Sequence, residues 1–272
     1  MQQTQATATS EAARPLAGRH AVITGAGSGI GAAIAGELAR LGADLTLFGR
    51  RLDPLTRRAQ ELAAQYGAET HAASLDVTDA GAVPPAFAAA VMRRGSIDIL
   101  VNNAGAAESA PFARSDEALV GRMMAVNYLG PLRCIQAVLP GMTTAGAGRI
   151  VNIASTAGLT GYPYVTAYCA AKHALVGLTR ALALELARTG ITVNAVCPGF
   201  TDTELVTRAA ETIAAKTGRS AAAARDELAR GNPMGRLVTP DEVAAAVAFL
   251  CLPGASAMTG QAIAVAGGEV MK

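Results

Sequence analysis

The sequence has no tryptophan, and only 4% of its residues are aromatic. Nucleic-acid surfaces combine a clustered basic patch with stacking rings. Here the basic residues are scattered and the formal net charge is only +2, so no such partner is expected. Cysteine and histidine are scarce too. Cys134, Cys169, Cys197 and Cys251 form no Cys-x-x-Cys unit, and His20, His71 and His173 lie far apart. No metal-ligand spacing results, and free, mostly buried thiols in a reducing cytoplasm are expected. No apolar run is long and unbroken enough to demand a membrane span. The opening residues, MQQTQATATSEAARPLAG, lack the apolar segment of a secretory signal. Residues 1–15 read as a disordered tail ahead of one domain, 16–272.

What is abundant is small and apolar: half of the 272 residues are hydrophobic and 29 are glycine. Seven short β-rich runs, at 20–24, 44–48, 70–75, 97–101, 149–154, 191–196 and 262–266, alternate with helical patterns. The helical patterns fall at 30–41, 54–66, 79–94, 116–139, 166–189 and 240–252. The strands read as near-continuous apolar runs, as strands covered on both faces do. This order predicts an α/β fold: a single doubly wound, Rossmann-type domain with a parallel seven-stranded sheet and helices on both faces. One helical, charged segment, 199–236, interrupts the alternation after the sixth strand and is placed to cover a site as a lid.

Between the first strand and the first helix stands TGAGSGIG, residues 24–31. Gly25, Gly29 and Gly31 allow a tight turn, and with Ser28 and Ile30 they bring backbone N–H groups toward a pyrophosphate at a helix N-terminus. An ordinary turn is the alternative for such a stretch taken alone. The absence of Gly-Lys-Ser/Thr disfavours a P-loop nucleotidase. The second strand ends at Gly49, Arg50 and Arg51, where an NAD enzyme usually places a carboxylate for the ribose hydroxyls. A guanidinium pairs with a phosphate instead, which favours NADP(H), although Arg51 also reads as a solvated surface charge. After the third strand, Asp76 is a candidate acceptor for an adenine amino group and the Val77 backbone a support for the ring. A helix-capping role is the other reading of Asp76.

Further candidates fall at strand ends on the same edge of the sheet: Asn103, Ala104 and Gly105 after the fourth strand, Ser155 after the fifth, and Pro198, Gly199, Thr201 and Thr203 after the sixth. Asn127 lies within a helix. Tyr168 and Lys172 sit four apart in YCAAK, so both share one helix face. An edge tyrosine and a snorkelling lysine are the alternative reading of that pentapeptide.

With TGxxxGxG, Asp76, NNAG, Asn127, Ser155, YxxxK and Pro198-Gly199 in order, the chain resembles the short-chain dehydrogenase/reductase family from about Leu16 to Val270. The resemblance implies that Tyr168 is the general acid in reduction and the base in oxidation, its phenol, ordinarily near pKa 10, lowered by the Lys172 ammonium and a cationic nicotinamide. It implies that Lys172 also holds the nicotinamide ribose, that Ser155 binds the substrate oxygen, and that Asn127 anchors a water beside Lys172. The NNAG backbone would line the cofactor, and Pro198, Gly199, Thr201 and Thr203 would position its carboxamide. Many NADP-preferring members carry a basic residue in the glycine loop where this chain has Ser28, so cofactor choice rests mainly on Arg50.

The stretches GRIVNIASTAG and ALALELARTGITVNAVCPGF are similar to bacterial aromatic-polyketide ketoreductases and 3-oxoacyl-thioester reductases. The implied activity is NADPH-dependent reduction of a 3-oxoacyl thioester or polyketide-like ketone in a cytoplasmic homotetramer. A dehydrogenase for free apolar or aromatic ketones, and a non-catalytic NADP-binding protein, are the alternatives. Leu159 and Tyr162 are expected to line the substrate with Ser155 and Tyr168. The lid arginines Arg208, Arg219, Arg225 and Arg230 are either phosphate ligands for a coenzyme or solvated charges.

Overall fold

Seven parallel strands form one sheet in the order β3-β2-β1-β4-β5-β6-β7 in the computed structural model, which describes residues 14–271, the Lys216 side chain excepted. The strands are β1 (His20–Thr24), β2 (Asp44–Gly49), β3 (Thr70–Ser74), β4 (Ile99–Asn102), β5 (Gly148–Ile153), β6 (Ile191–Pro198) and β7 (Ala262–Val265). Between them run α1 (Gly29–Arg40), α2 (Leu52–Tyr66), α3 (Val83–Arg94), α4 (Glu117–Met124), α5 (Gly130–Ala145), α6 (Thr166–Glu185), α7 (Glu204–Thr217), α8 (Ala221–Arg230) and α9 (Pro240–Cys251). The doubly wound parallel sheet expected from the sequence is the fold.

Successive strand residues point to opposite faces, and the core divides accordingly. Ala21, Ile23, Ile99, Val101 and Val151 pack against α1, α2 and α9. Val22, Phe48, Leu100, Ile150 and Val193 pack against α3, α5 and the end of α6. Ala35 and Ala39 of α1 share their cluster with Ala244 and Ala248 of α9. The alanine-rich composition thus supplies thin helix faces through which α1 and α9 pack on each other. A buried polar ladder crosses the centre. Asn102 Nδ2 donates to Asn152 Oδ1 at 2.9 Å, Asn152 Nδ2 donates to Thr179 Oγ1 at 2.9 Å, and Thr179 Oγ1 donates to the Leu175 carbonyl at 2.8 Å. It ties β4 and β5 to α6, since each of these groups is costly to bury alone.

The structure departs from the expected elements in three local respects. The helix expected over 79–94 starts only at Val83, because Asp79 Oδ1 accepts the N–H groups of Gly81 and Ala82 and holds a turn there. The helix expected over 116–139 is α4 and α5, joined by a π-helical turn at Ala125–Leu129 and continued to a left-handed Gly146. The edge strands β3 and β7 are only partly buried, unlike the central ones. Of the expected tail, residues 1–13 lie outside the described residues. Arg14 already donates to the Tyr66 carbonyl at 2.9 Å, and Leu16 is buried. No described helix is long and apolar enough to cross a membrane.

Candidate active site

At the carboxyl edge of the sheet, the loops after β1 and β4 leave in opposite directions and open a crevice. Thr24 closes its floor: Oγ1 accepts the N–H groups of Asn103 and Ala104, both at 3.0 Å. Asn103 Nδ2 donates to the carbonyls of Thr24 and Gly25, both at 3.0 Å. The side chain of Asn103 is therefore spent on holding the glycine turn, while the 103–105 backbone borders the crevice. Gly25 has φ +67°, and a Cβ on Gly31 would collide with the Gly25 carbonyl oxygen. Any other residue at Gly31 would force the turn open. Ser28 occupies the N-cap of α1 but makes no capping bond, so the first-turn N–H groups keep no side-chain acceptor. An anion is the natural partner for them.

Arg50 is exposed, and its side chain makes no hydrogen bond or ion pair among the described residues. Arg51 is exposed at the N-cap of α2. Asp76 Oδ1 accepts from the Thr78 N–H at 2.9 Å and the Thr78 hydroxyl at 2.7 Å. These bonds hold its carboxyl below the usual carboxylate range, with a smaller contribution from Arg50. Val77 is buried against Gly130. Asp76 does not cap α3, whose N-cap is Ala82 without a side-chain capping bond.

Ser155 Oγ accepts the Ala157 N–H at 3.1 Å, which caps a 3-10 turn and points the hydroxyl toward α6, where it bonds with Tyr168. Lys172 lies one turn further along α6 and is buried. Its Nζ donates to the Ile153 carbonyl at 2.8 Å and stands 5.7 Å from the Tyr168 ring centroid. Asn127 is fully buried at the centre of the π-helical turn, where Nδ2 donates to the carbonyls of Ala106 and Met123 at 2.9 and 3.0 Å. Gly105 fits between the two: a Cβ on it would lie 2.9 Å from Asn127 Oδ1 and 3.6 Å from Lys172 Nζ. Asn127 and Ser155, from other elements, thus converge with the Tyr168 and Lys172 of α6.

The expected tuning of the phenol is not present in the protein alone. Burial pushes Tyr168 up to about 12, opposed by its hydrogen bond with Ser155. Burial pulls Lys172 down to about 8. Both shifts have one cause, the loss of water around a group that would otherwise be charged.

The expected substrate wall divides. Leu159 packs inward on Ala154, Leu175, Val176, Ala195 and Cys197. Tyr162 stands edge-on to Phe200 at 6.3 Å, and its hydroxyl donates to the Glu269 carboxylate, so that hydroxyl is already engaged. Burial and then the Glu269 bond push the Tyr162 phenol well above its ordinary value. Thr201 Oγ1 donates to the Gly199 carbonyl at 3.0 Å and Thr203 Oγ1 to the Thr201 carbonyl at 3.2 Å, which shapes the start of the lid. Thr203 also approaches the glycine loop, 3.1 Å from where a Gly29 Cβ would stand. The lid arginines are committed locally: Arg208 to Glu204 at 2.5 Å, Arg219 to Glu227, Arg225 to Asp202 at 2.8 Å, and Arg230 to the Asp226 carbonyl at 3.3 Å.

Two residues at the site are not among those the sequence points to. Cys197, at the end of β6, is buried beside Lys172 and receives the Ser155 N–H; burial raises its thiol to about 11. Glu269 follows β7. A carboxylate just past the last strand, in VAGGEV, is the available signal, since it falls on the same sheet edge as the other candidates.

A match to the short chain dehydrogenase family covers residues 19–214. The protein named "Granaticin polyketide synthase putative ketoacyl reductase 1" from Streptomyces violaceoruber is 42% identical over 97% of this chain and 98% of its own length. The crystal structure of a single-residue variant of actinorhodin polyketide ketoreductase with NADPH superposes with a TM-score of 0.89 at 41% identity, covering 92% of this chain and 97% of that one. L-sorbose reductase from Gluconobacter frateurii, complexed with NADPH and L-sorbose, superposes with a TM-score of 0.90 at 29% identity over 96% and 99% of the two chains.

Proposed function

The chain belongs to the short-chain dehydrogenase family of oxidoreductases, and we propose that it reduces the ketone of a 3-oxoacyl thioester or polyketide-like substrate with NADPH. The observation that carries this reading is the convergence of Ser155, Tyr168 and the buried Lys172 beside the crevice. A protein that only bound a nucleotide would have no use for a phenol and an ammonium kept out of water there. Similarity to the NADPH-bound ketoreductase supports the cofactor and the ketone.

The residues present fit a dinucleotide phosphate. The α1 N-terminus is uncapped, and Arg50 is an unpaired guanidinium at the end of β2. Gly25, Ser28, Gly29, Ile30 and Gly31 would hold the pyrophosphate, and Arg50, with Arg51 beside it, the ribose phosphate. Asp76 and Val77 would flank the adenine. Asn103, Ala104 and Gly105 would line the ribose side, and Pro198, Gly199, Thr201 and Thr203 the carboxamide side. Bound there, the cofactor supplies the hydride. Ser155 and Tyr168 together hydrogen-bond the substrate carbonyl oxygen, where negative charge gathers. Tyr168, protonated at neutral pH, gives that oxygen its proton. Lys172 stabilises the phenolate left behind, and Asn127 fixes the backbone around Ala106 beside it. We also place the protein in the cytoplasm as a homotetramer assembled through α4 to α6 and the β7 region.

Loss of NADPH absorbance with acetoacetyl-CoA, compared with a free aryl ketone at equal concentration, tests the substrate class. The thioester should react faster, and Tyr168→Phe should lower kcat at least about a hundredfold. A faster free ketone would make the chain a general carbonyl reductase. Replacing Arg50 with Asp should weaken the preference for NADPH over NADH; unchanged selectivity would remove its phosphate role. Because Lys172 loses its proton near pH 8 while Tyr168 keeps its own to about 12, kcat/KM for reduction should be flat below about pH 7.5 and fall above about pH 8. A profile level to about pH 10 would contradict the need for the ammonium. Sedimentation at micromolar concentration should give a tetramer, and a monomer would overturn that assignment.

A further inference from the structure

Glu269 lies where three parts of the site meet. It leaves β7 on the C-terminal segment, and one carboxylate oxygen accepts the hydroxyl of Tyr162 in the expected substrate wall. Tyr162 in turn packs on Phe200 at the base of the lid, and its phenol reaches the hydroxyl of Thr156, next to Ser155, and senses Cys169, next to Tyr168. The other oxygen, Oε2, stands 2.6 Å from the point a Gly199 Cβ would fill, against the Pro198-Gly199 turn. Oε2 is buried and has no hydrogen-bond partner. No lysine or arginine pairs with Glu269 among the described residues, since every ion pair found there joins other residues. A carboxylate with an unsatisfied buried oxygen and no counter-cation is hostile to a second anion in the same cleft.

We propose that Glu269 is a specificity-determining residue that admits neutral 3-oxo esters and thioesters and rejects free 3-oxo acids. The inference rests on the keto-reducing reading of the site and narrows its substrate class. A 3-oxo acid and its ester present a ketone at the same position to Ser155 and Tyr168 and differ at the acyl end, in charge and in the ester's alkyl group. The intrinsic reactivity of the two ketones is common to wild type and variants, so a change in their ratio on altering Glu269 reads the field of the wall. Tyr162 is the positioning residue in this arrangement: by donating to one oxygen it fixes the carboxylate and leaves the other turned to the Gly199 side.

The test uses methyl acetoacetate and acetoacetate at pH 7, with two readouts: kcat/KM for NADPH oxidation, and affinity for the enzyme–NADP⁺ complex by calorimetry. The wild-type protein should favour the ester at least about tenfold in both. Glu269→Gln should shrink that ratio at least about fivefold by improving the acid, whereas Glu269→Asp, which keeps the charge, should retain it. A merely structural loss would lower both compounds alike and leave the ratio unchanged, which would overturn the proposal. A wild-type ratio near one, or in favour of the acid, would overturn it without any variant. If neither compound oxidises NADPH, the reduction reading falls, and the calorimetric ratio still decides the selectivity.

Discussion

The site is organised around a single buried ammonium. Lys172 is removed from water in the middle of an apolar helix, and an ion in that position must be met by polar groups or lose its charge. The Ile153 carbonyl at the end of β5 meets it directly at 2.8 Å. Gly105, after β4, leaves room for it, and a Cβ on Gly158, after β5, would lie only 2.8 Å from its own backbone carbonyl. Two strand-end loops are thereby packed against one turn of α6. Ser155, which starts the second of those loops, inherits its position from this packing.

The same requirement accounts for the break between α4 and α5. A regular helix would carry Asn127 past the site. The π-helical turn at Ala125–Leu129 inserts the extra step that lets its amide bond with both Met123 and Ala106. The helical pattern around Asn127 admits a helix-bending role beside the catalytic one. The structure shows the bend, and the irregular turn is what sets the amide next to Gly105 and Lys172.

On the cofactor side the constraint is steric. The glycine turn and the 103–105 loop share a floor made by Thr24 and Asn103, and the close approach at Gly31 leaves no space for a side chain. The rigid floor and the uncapped helix end belong together: the backbone groups that would face a phosphate are held by neighbours that face away from it. Within the lid, by contrast, Arg208 pairs with Glu204, Arg219 with Glu227 and Arg225 with Asp202. Those guanidiniums are engaged away from the glycine loop, and the wall beside the lid is held by the Tyr162–Glu269 bond.

Local pattern was enough to read the alternation of strands and helices, the glycine turn, the phenol and ammonium one turn apart, and Arg50 at the end of β2. Each of these depends on residue types at fixed spacing, and the parallel sheet follows because its strands are apolar on both faces. What the sequence could not determine depends on burial and on contacts between distant segments. The high pKa of Tyr168 and the low one of Lys172 arise from desolvation by parts of the chain that no local pattern brings together. Leu159, only partly buried, packs on the small cluster of Ala154, Leu175, Val176, Ala195 and Cys197, which distant segments bring together. Asp76 bonded its own loop, and Asp79 took the turn before α3. Glu269 met Tyr162 across 107 positions of sequence. That pairing exists only because the doubly wound sheet returns its last strand to the edge where the first loops open.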